Sequence, residues 1–179
     1  MDLQGQQSNA RGGPFAVLNG SLASDVLVVS LAPGAKLQQP LHLLHVSTPA
    51  AADAGSSGPT LNVSAARLLI SLGANTSCEV VEEFVSDAAG THVSMPVAEV
   101  VLGEGSELKH GYVHREAAGA QHYKATLVSQ VWWVVGTVGK SGCWHCAGQH
   151  VASDCCSWWS GNWLEHISIA APLSGGNCS

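Results

Sequence analysis

The sequence predicts an all-β chain built as a stacked solenoid, and three observations carry that expectation. Three stretches share one grammar, an apolar strand, a tight turn after a leucine, then a second strand: residues 26–46, 67–85 and 98–114. Set on their turns, they superpose as Leu31-x-x-Gly34, Leu72-x-x-Asn75 and Leu102-x-x-Gly105. Gly and Asn tolerate a left-handed backbone, so the likeness is one of geometry as well as composition. The unit returns at intervals of roughly thirty to forty residues, as in folds where each repeat buries its apolar side only against its neighbours.

The elements follow in order. Residues 1–13 are polar and Gly/Gln-rich and read as a disordered lead-in. Phe15-Ala16-Val17-Leu18 reads as a strand, Asn19-Gly20 as a turn, and residues 25–31 as the next strand. Residues 48–60 (TPAAADAGSSGPT) form a low-complexity surface loop, and a second loop spans 86–94. In 78–85 one face carries Cys78, Val80, Glu82 and Phe84, the other Glu79, Val81, Glu83 and Val85. Both faces mix apolar and acidic residues, as expected where a strand passes a corner and the inside–outside rule resets. A flat sandwich would alternate more regularly. The REAAGAQ stretch from Arg115 fits one helical turn or a corner, and residues 121–130 read as a further strand.

Composition narrows the function. The chain has 179 residues, 46% apolar, enough for one domain with a core. Charged residues are 11% and the net charge is −6, so there is no electrostatic footprint for nucleic acid and no basic cluster for an anionic membrane. No apolar run approaches the roughly 20 residues of a spanning helix. The first residues have no basic segment followed by an apolar one, so no secretory signal is read there, and the sequons at Asn19, Asn62, Asn75 and Asn177 read as chance matches.

The segments 15–47, 67–85 and 98–110, with the stretch around His122, together closely resemble the SufB/SufD core family of iron–sulfur cluster assembly proteins. The run from Leu18-Asn19 through Pro33-Gly34 to HLLHVS is more similar to SufD than to SufB. The likeness covers roughly residues 14–130, in the right order throughout. It implies a right-handed parallel β-helix and a scaffold subunit that is not an enzyme in its own right. It also implies a SufB-like partner paired through the β-helix and a SufC-like ATPase that docks on a later helical segment. The iron–sulfur cluster is then handled by the complex, and no cofactor is assigned to this chain. The resemblance stops short of the family's later half: the Ser-His-Gly context of the SufD histidine does not occur, and Cys78 lies in no SufB cysteine motif. No catalytic, cofactor-binding or metal-ligating residue therefore carries over. An end after a few rungs would expose unpaired backbone, an expected cause of poor solubility.

Residues 131–179 hold all six tryptophans and five of the six cysteines. They show no sustained period and read as an irregular tail, unrelated to the family. The junction fits translated intron sequence: every valine codon begins with GT, and a glutamine codon can end in AG. That implies a eukaryotic source and a chloroplast location, the alternative being cytoplasmic in a bacterium.

Candidate chemistry is sparse. Cys143-Trp144-His145-Cys146 has the spacing of a zinc knuckle or a redox pair, but Cys155 and Cys156 are adjacent and diverge, and His150 adds one ligand at most. No βαβ pattern surrounds the pair, so the match is weak and the cysteines read as fortuitous. His110 and His114 share a strand face about 13 Å apart, too far to hold one ion between them. His42 and His45 point to opposite faces, and these histidines read as solvent-facing or hydrogen-bonded. Glu79, Glu82 and Glu83 read as an acidic rim. The rival readings are a β-solenoid enzyme, which requires a convergent acid–base pocket, and a cysteine-rich metal-binding protein.

Overall fold

The computed structural model describes residues 13–48, 61–86, 92–117, 119–130, 135–138, 150–153 and 163–170. The lead-in at 1–12, the low-complexity loop after Thr48 and the Cys143–Cys146 motif lie outside them, as do Cys155 and Cys156.

Each rung of the coil runs through three faces. The first face stacks β1 (Leu27–Leu31), β4 (Arg67–Leu72), β7 (Val97–Leu102) and β10 (Ala125–Gln130), all parallel. The second stacks β2 (Leu41–Ser47), β5 (Ser77–Ser86) and β8 (Glu107–Arg115), and the third β3 (Asn62–Ser64), β6 (His92–Ser94) and β9 (Ala120–His122). The chain is an all-β parallel β-helix, as the repeated turns predict.

Those turns stack in register. Gly34, Asn75 and Gly105 have φ of 79°, 57° and 66°, the left-handed conformation expected at three equivalent positions. Backbone bonds join each turn to the next, Gly34 N to Ala74 O and Asn75 N to Glu104 O. The contact is close: a Cβ on Gly103 would meet Ala74 N and Gly73 C at 2.7 Å, so only glycine fits. Thr76 and Ser106 brace the second and third turns from within, each hydroxyl donating to the carbonyl of Gly73 or Gly103.

Strand parity is more regular than the sequence suggested. In β5 buried and half-buried residues alternate over nearly the whole strand, and Cys78, Val80, Glu82 and Phe84 all point inward. No reset occurs there. The core beside the turns is apolar, built from Leu68, Ile70, Leu72, Val80, Val100, Leu102 and Leu108.

The largest departure lies at the start. Residues read as a strand and an Asn-Gly turn form a helix, α1 (Pro14–Leu22). Pro14 supplies a favourable first helical position, and Gly13 O accepts from Ala16 N and Val17 N. Tertiary bonds then override the local turn preference. Asn19 is wholly buried, and its amide donates to Ala66 O (3.0 Å) and Met95 O (2.7 Å) at successive corners of the coil. Its carbonyl oxygen accepts from Arg67, which pairs with Glu99. Ala16 packs on Val97, Ala125 and Leu127, on the outer side of the first face. Phe15 stacks on Tyr123. Asn19 is thus a structural residue, in keeping with a chance sequon.

Three further corrections concern loops and the tail. Residues 92–94, read as loop, form β6, and residues 121–130, read as one strand, are β9 and β10 around a corner at Tyr123-Lys124. The Arg115 stretch, read as one helical turn or a corner, leaves β8 at Arg115, and its described residues up to β9 take the corner alternative. Beyond Gln130, β11 (Val135–Val138), β12 (His150–Ser153) and β13 (Trp163–Ala170) form strands that pair antiparallel, β12 with β10 and β13 with β8. The outer edges of β8 and β10 are therefore occupied, where unpaired backbone was expected. No described helix is long and apolar enough to cross a membrane.

Candidate functional site

Toward the third face, the interior changes character. The residues that continue the inward rows of β2, β5 and β8 past the apolar core are His45, Glu82, Phe84, His110, Tyr112 and His114, joined by His92, Glu116, His122 and Lys124 from the corners and β6 and β9. Two buried carboxylates organise this polar chamber, one on each side of Phe84.

The first is Glu82. Its Oε1 accepts from Lys124 Nζ at 2.5 Å and meets His110 Nε2 at 2.7 Å. His45 Nε2 lies 3.2 Å from Oε2, an electrostatic contact outside hydrogen-bond geometry. Burial alone would raise the Glu82 pKa, but Lys124 above all, then His110 and His45, hold it well below the usual carboxylate range. A buried carboxylate with a fixed cation stays charged.

The second is Glu116, whose side chain is fully enclosed. Oε2 meets His122 Nδ1 at 2.7 Å and His114 Nε2 at 3.0 Å, while Oε1 meets His92 Nε2 at 3.1 Å and accepts from Ser47 Oγ at 3.3 Å. Here too burial acts to raise the pKa, and the hydrogen bonds from His114, His122 and His92 overcome it and drive it far down. His122 is pushed the other way: burial outweighs its attraction to Glu116 and lowers its pKa below the ordinary imidazole value. Its Nε2 is bonded to the Tyr112 hydroxyl.

Phe84 separates the two. Its ring stacks on His45 at 4.2 Å and meets His122 edge-on at 5.0 Å, and Lys124 Nζ sits 4.9 Å over the Tyr112 ring. Aromatic faces thus line the walls between the charged groups, which strengthens each electrostatic contact by excluding water.

The sequence-level candidates fall out as follows. His110 and His114 do share a face, and it is the inner one; each bonds a different glutamate. His42 and His45 do point oppositely, His42 outward to Glu83 at 2.9 Å. The acidic rim is correct for Glu83, which also pairs with Arg115, and wrong for Glu82, which the strand register places in the inward row between Leu43 and Tyr112. Cys78 is a buried free thiol, its pKa raised by burial and by Glu79, which suits an inert core position. His92, Glu116, His122 and Lys124 were missed. The available signal was the rung offset itself, which lays β9 on β6 and brings His92 and His122 onto adjacent strands.

A family model for the SUF system of FeS cluster assembly, the SufBD core domain, matches residues 52–152. The chain belongs to the SufBD core family. The resemblance read from the turns and apolar runs is that family, and the stacked parallel sheets fit it. The SufBD core match runs from the low-complexity loop through β12. The chain is also 32% identical over 124 residues to a protein named ABCI7, chloroplastic, from Arabidopsis thaliana, a match covering 66% of this chain and 25% of that protein. It therefore spans about a quarter of the length of that curated relative. No solved structure matches the chain.

Proposed function

We propose that this chain serves as a non-enzymatic, SufD-like scaffold subunit in iron–sulfur cluster assembly. It pairs with a SufB-like paralogue through the β-helix, in a complex completed by a SufC-like ATPase, and the cluster is a cargo of that complex. The observation that carries the reading is the coil of parallel rungs within the residues matched by the SufBD core model. The buried state of the polar chamber supports a role without catalysis, because Glu82, His110, His114 and Glu116 lie behind the strands, out of reach of a substrate. A plastid location is part of the proposal, supported by the name of the Arabidopsis relative.

Co-expression of the tagged chain with a SufB-like protein and a SufC-like ATPase tests it. The expected result is stable co-elution with the SufB-like subunit and ATP hydrolysis that requires the ATPase. Failure to co-elute, or turnover by the chain alone, overturns the reading. Immunodetection in fractionated plant cells tests the location, with enrichment in the plastid stroma expected.

A further inference from the structure

We propose that His114, Glu116 and His122 form a binding site for a divalent first-row transition-metal ion inside the coil, with His92 on the other oxygen of the same carboxylate. This goes beyond the scaffold reading and does not depend on it.

The geometry gives the first argument. One ring nitrogen of His114, one of His122 and a Glu116 carboxylate oxygen all lie within 4.8 Å of one another. Donors around a tetrahedral ion with bonds of about 2.0–2.1 Å stand roughly 3.4 Å apart. The separations of 2.7 and 3.0 Å from Glu116 Oε2, and of 3.1 Å from His92 Nε2 to Oε1, all fall short of that spacing, and small side-chain rotations that open the cluster meet it. Imidazole and carboxylate donors suit Zn²⁺, Fe²⁺ and Co²⁺.

Charge gives the second. Among the described residues, the buried Glu82 is paired with Lys124 and the buried Glu99 with Arg67. Glu116 is enclosed as deeply and, among the described residues, meets three imidazoles and a serine hydroxyl. A bound cation supplies there the charge that a lysine or an arginine supplies at the other two.

The surrounding shell gives the third. Metal-bound histidines are held by a partner on the second ring nitrogen. With Nδ1 on the ion, His122 Nε2 carries the proton and donates to Tyr112 Oη, the contact already in place. Ser47 and Ser86, both half-buried, brace this corner, Ser47 donating to Glu116 and Ser86 accepting from Ala117 N.

The test is titration of the full chain with CoCl₂, followed by optical absorption. Saturation at one ion per chain is expected, with ligand-field bands of a nitrogen–oxygen site and no thiolate-to-cobalt charge transfer. Glu116→Gln is expected to weaken binding at least tenfold, and Tyr112→Phe about tenfold as loss of the outer partner. Circular dichroism checks that the variants fold. In the unaltered chain, cobalt is expected to displace the ring-proton resonances of His114 and His122 and leave those of His42 in place, a readout that needs no variant. A thiolate spectrum with unmoved His114 and His122 resonances would assign the metal to the cysteines and overturn the proposal. Binding equally strong in Glu116→Gln, or no saturation at millimolar cobalt, would overturn it as well.

Discussion

The two halves of the coil's interior obey one geometric rule and solve it with opposite chemistry. Beside the stacked turns, inward positions are filled by Leu68, Ile70, Leu72, Leu102 and Leu108, which need nothing but apolar neighbours. Toward the third face, the same inward rows carry Glu82, His110, Tyr112 and His114, each of which needs a particular partner at hydrogen-bond distance. The apolar half tolerates many sequences of similar volume. In the polar half one missing partner strands a buried charge, so its residues are tied to one another rather than to a general property of the core.

The comparison is broken most forcefully by deleting one member of each half. Lys124→Ala leaves Glu82 buried without its cation and is expected to cost about 3–5 kcal/mol. Adding Glu82→Leu to Lys124→Met should recover most of that loss, since an apolar pair of similar volume removes the stranded charge. Leu102→Ala should cost about 2–5 kcal/mol through its cavity, and removal of a neighbour should deepen the loss. Denaturant unfolding of the four variants decides it, and a double variant no better than Lys124→Ala would erase the distinction.

Acid separates the halves next. His122 has a folded-state pKa below its ordinary 6.5, and Glu82 and Glu116 have theirs below the ordinary 4.5. A depressed pKa gives stability that is complete above the unfolded value and lost as pH falls toward the folded one. Stability is thus expected to be level from pH 6.5 up to the ordinary thiol value of 9.0, to start falling below 6.5 as His122 charges, and to fall further below pH 4.5 as the carboxylates are forced to protonate. Urea midpoints across that range check it; a midpoint rising from pH 6.5 to 5 would be contrary. The apolar half contributes no such slope.

Smaller effects sharpen the role of the turns that border the apolar half. Gly105→Ala places a Cβ at φ 66° and should cost about 1–2 kcal/mol, whereas Asn75→Gly should be nearly neutral. Ser106→Ala, which removes the hydroxyl bond to Gly103 O, should cost about 1 kcal/mol. Thermal unfolding resolves both.

The turns were legible because a left-handed backbone restricts residue choice, and that restriction appears directly as Gly34, Asn75 and Gly105. The apolar half was legible for a similar reason, since burial next to Leu and Ile selects Leu and Val. Glu82 was misread because polarity in a strand ordinarily marks the outside. The lysine that reverses that inference lies 42 positions later, at a corner. Glu116 and His122 were invisible individually, because each gains meaning only when a corner folds one toward the other. The opening helix failed for the same reason. Four apolar residues have no decisive period, and the carbonyls that hold Asn19 lie 47 and 76 residues away.

That last feature bears on the order of assembly. During synthesis α1 leaves the ribosome before the rungs it packs on, and the Met95 carbonyl that its Asn19 grips belongs to a corner made much later. Local rungs can pile up as they emerge, because each touches only the one before it. The helix has no seat until three of them exist, so a segment made before those rungs settles only after them.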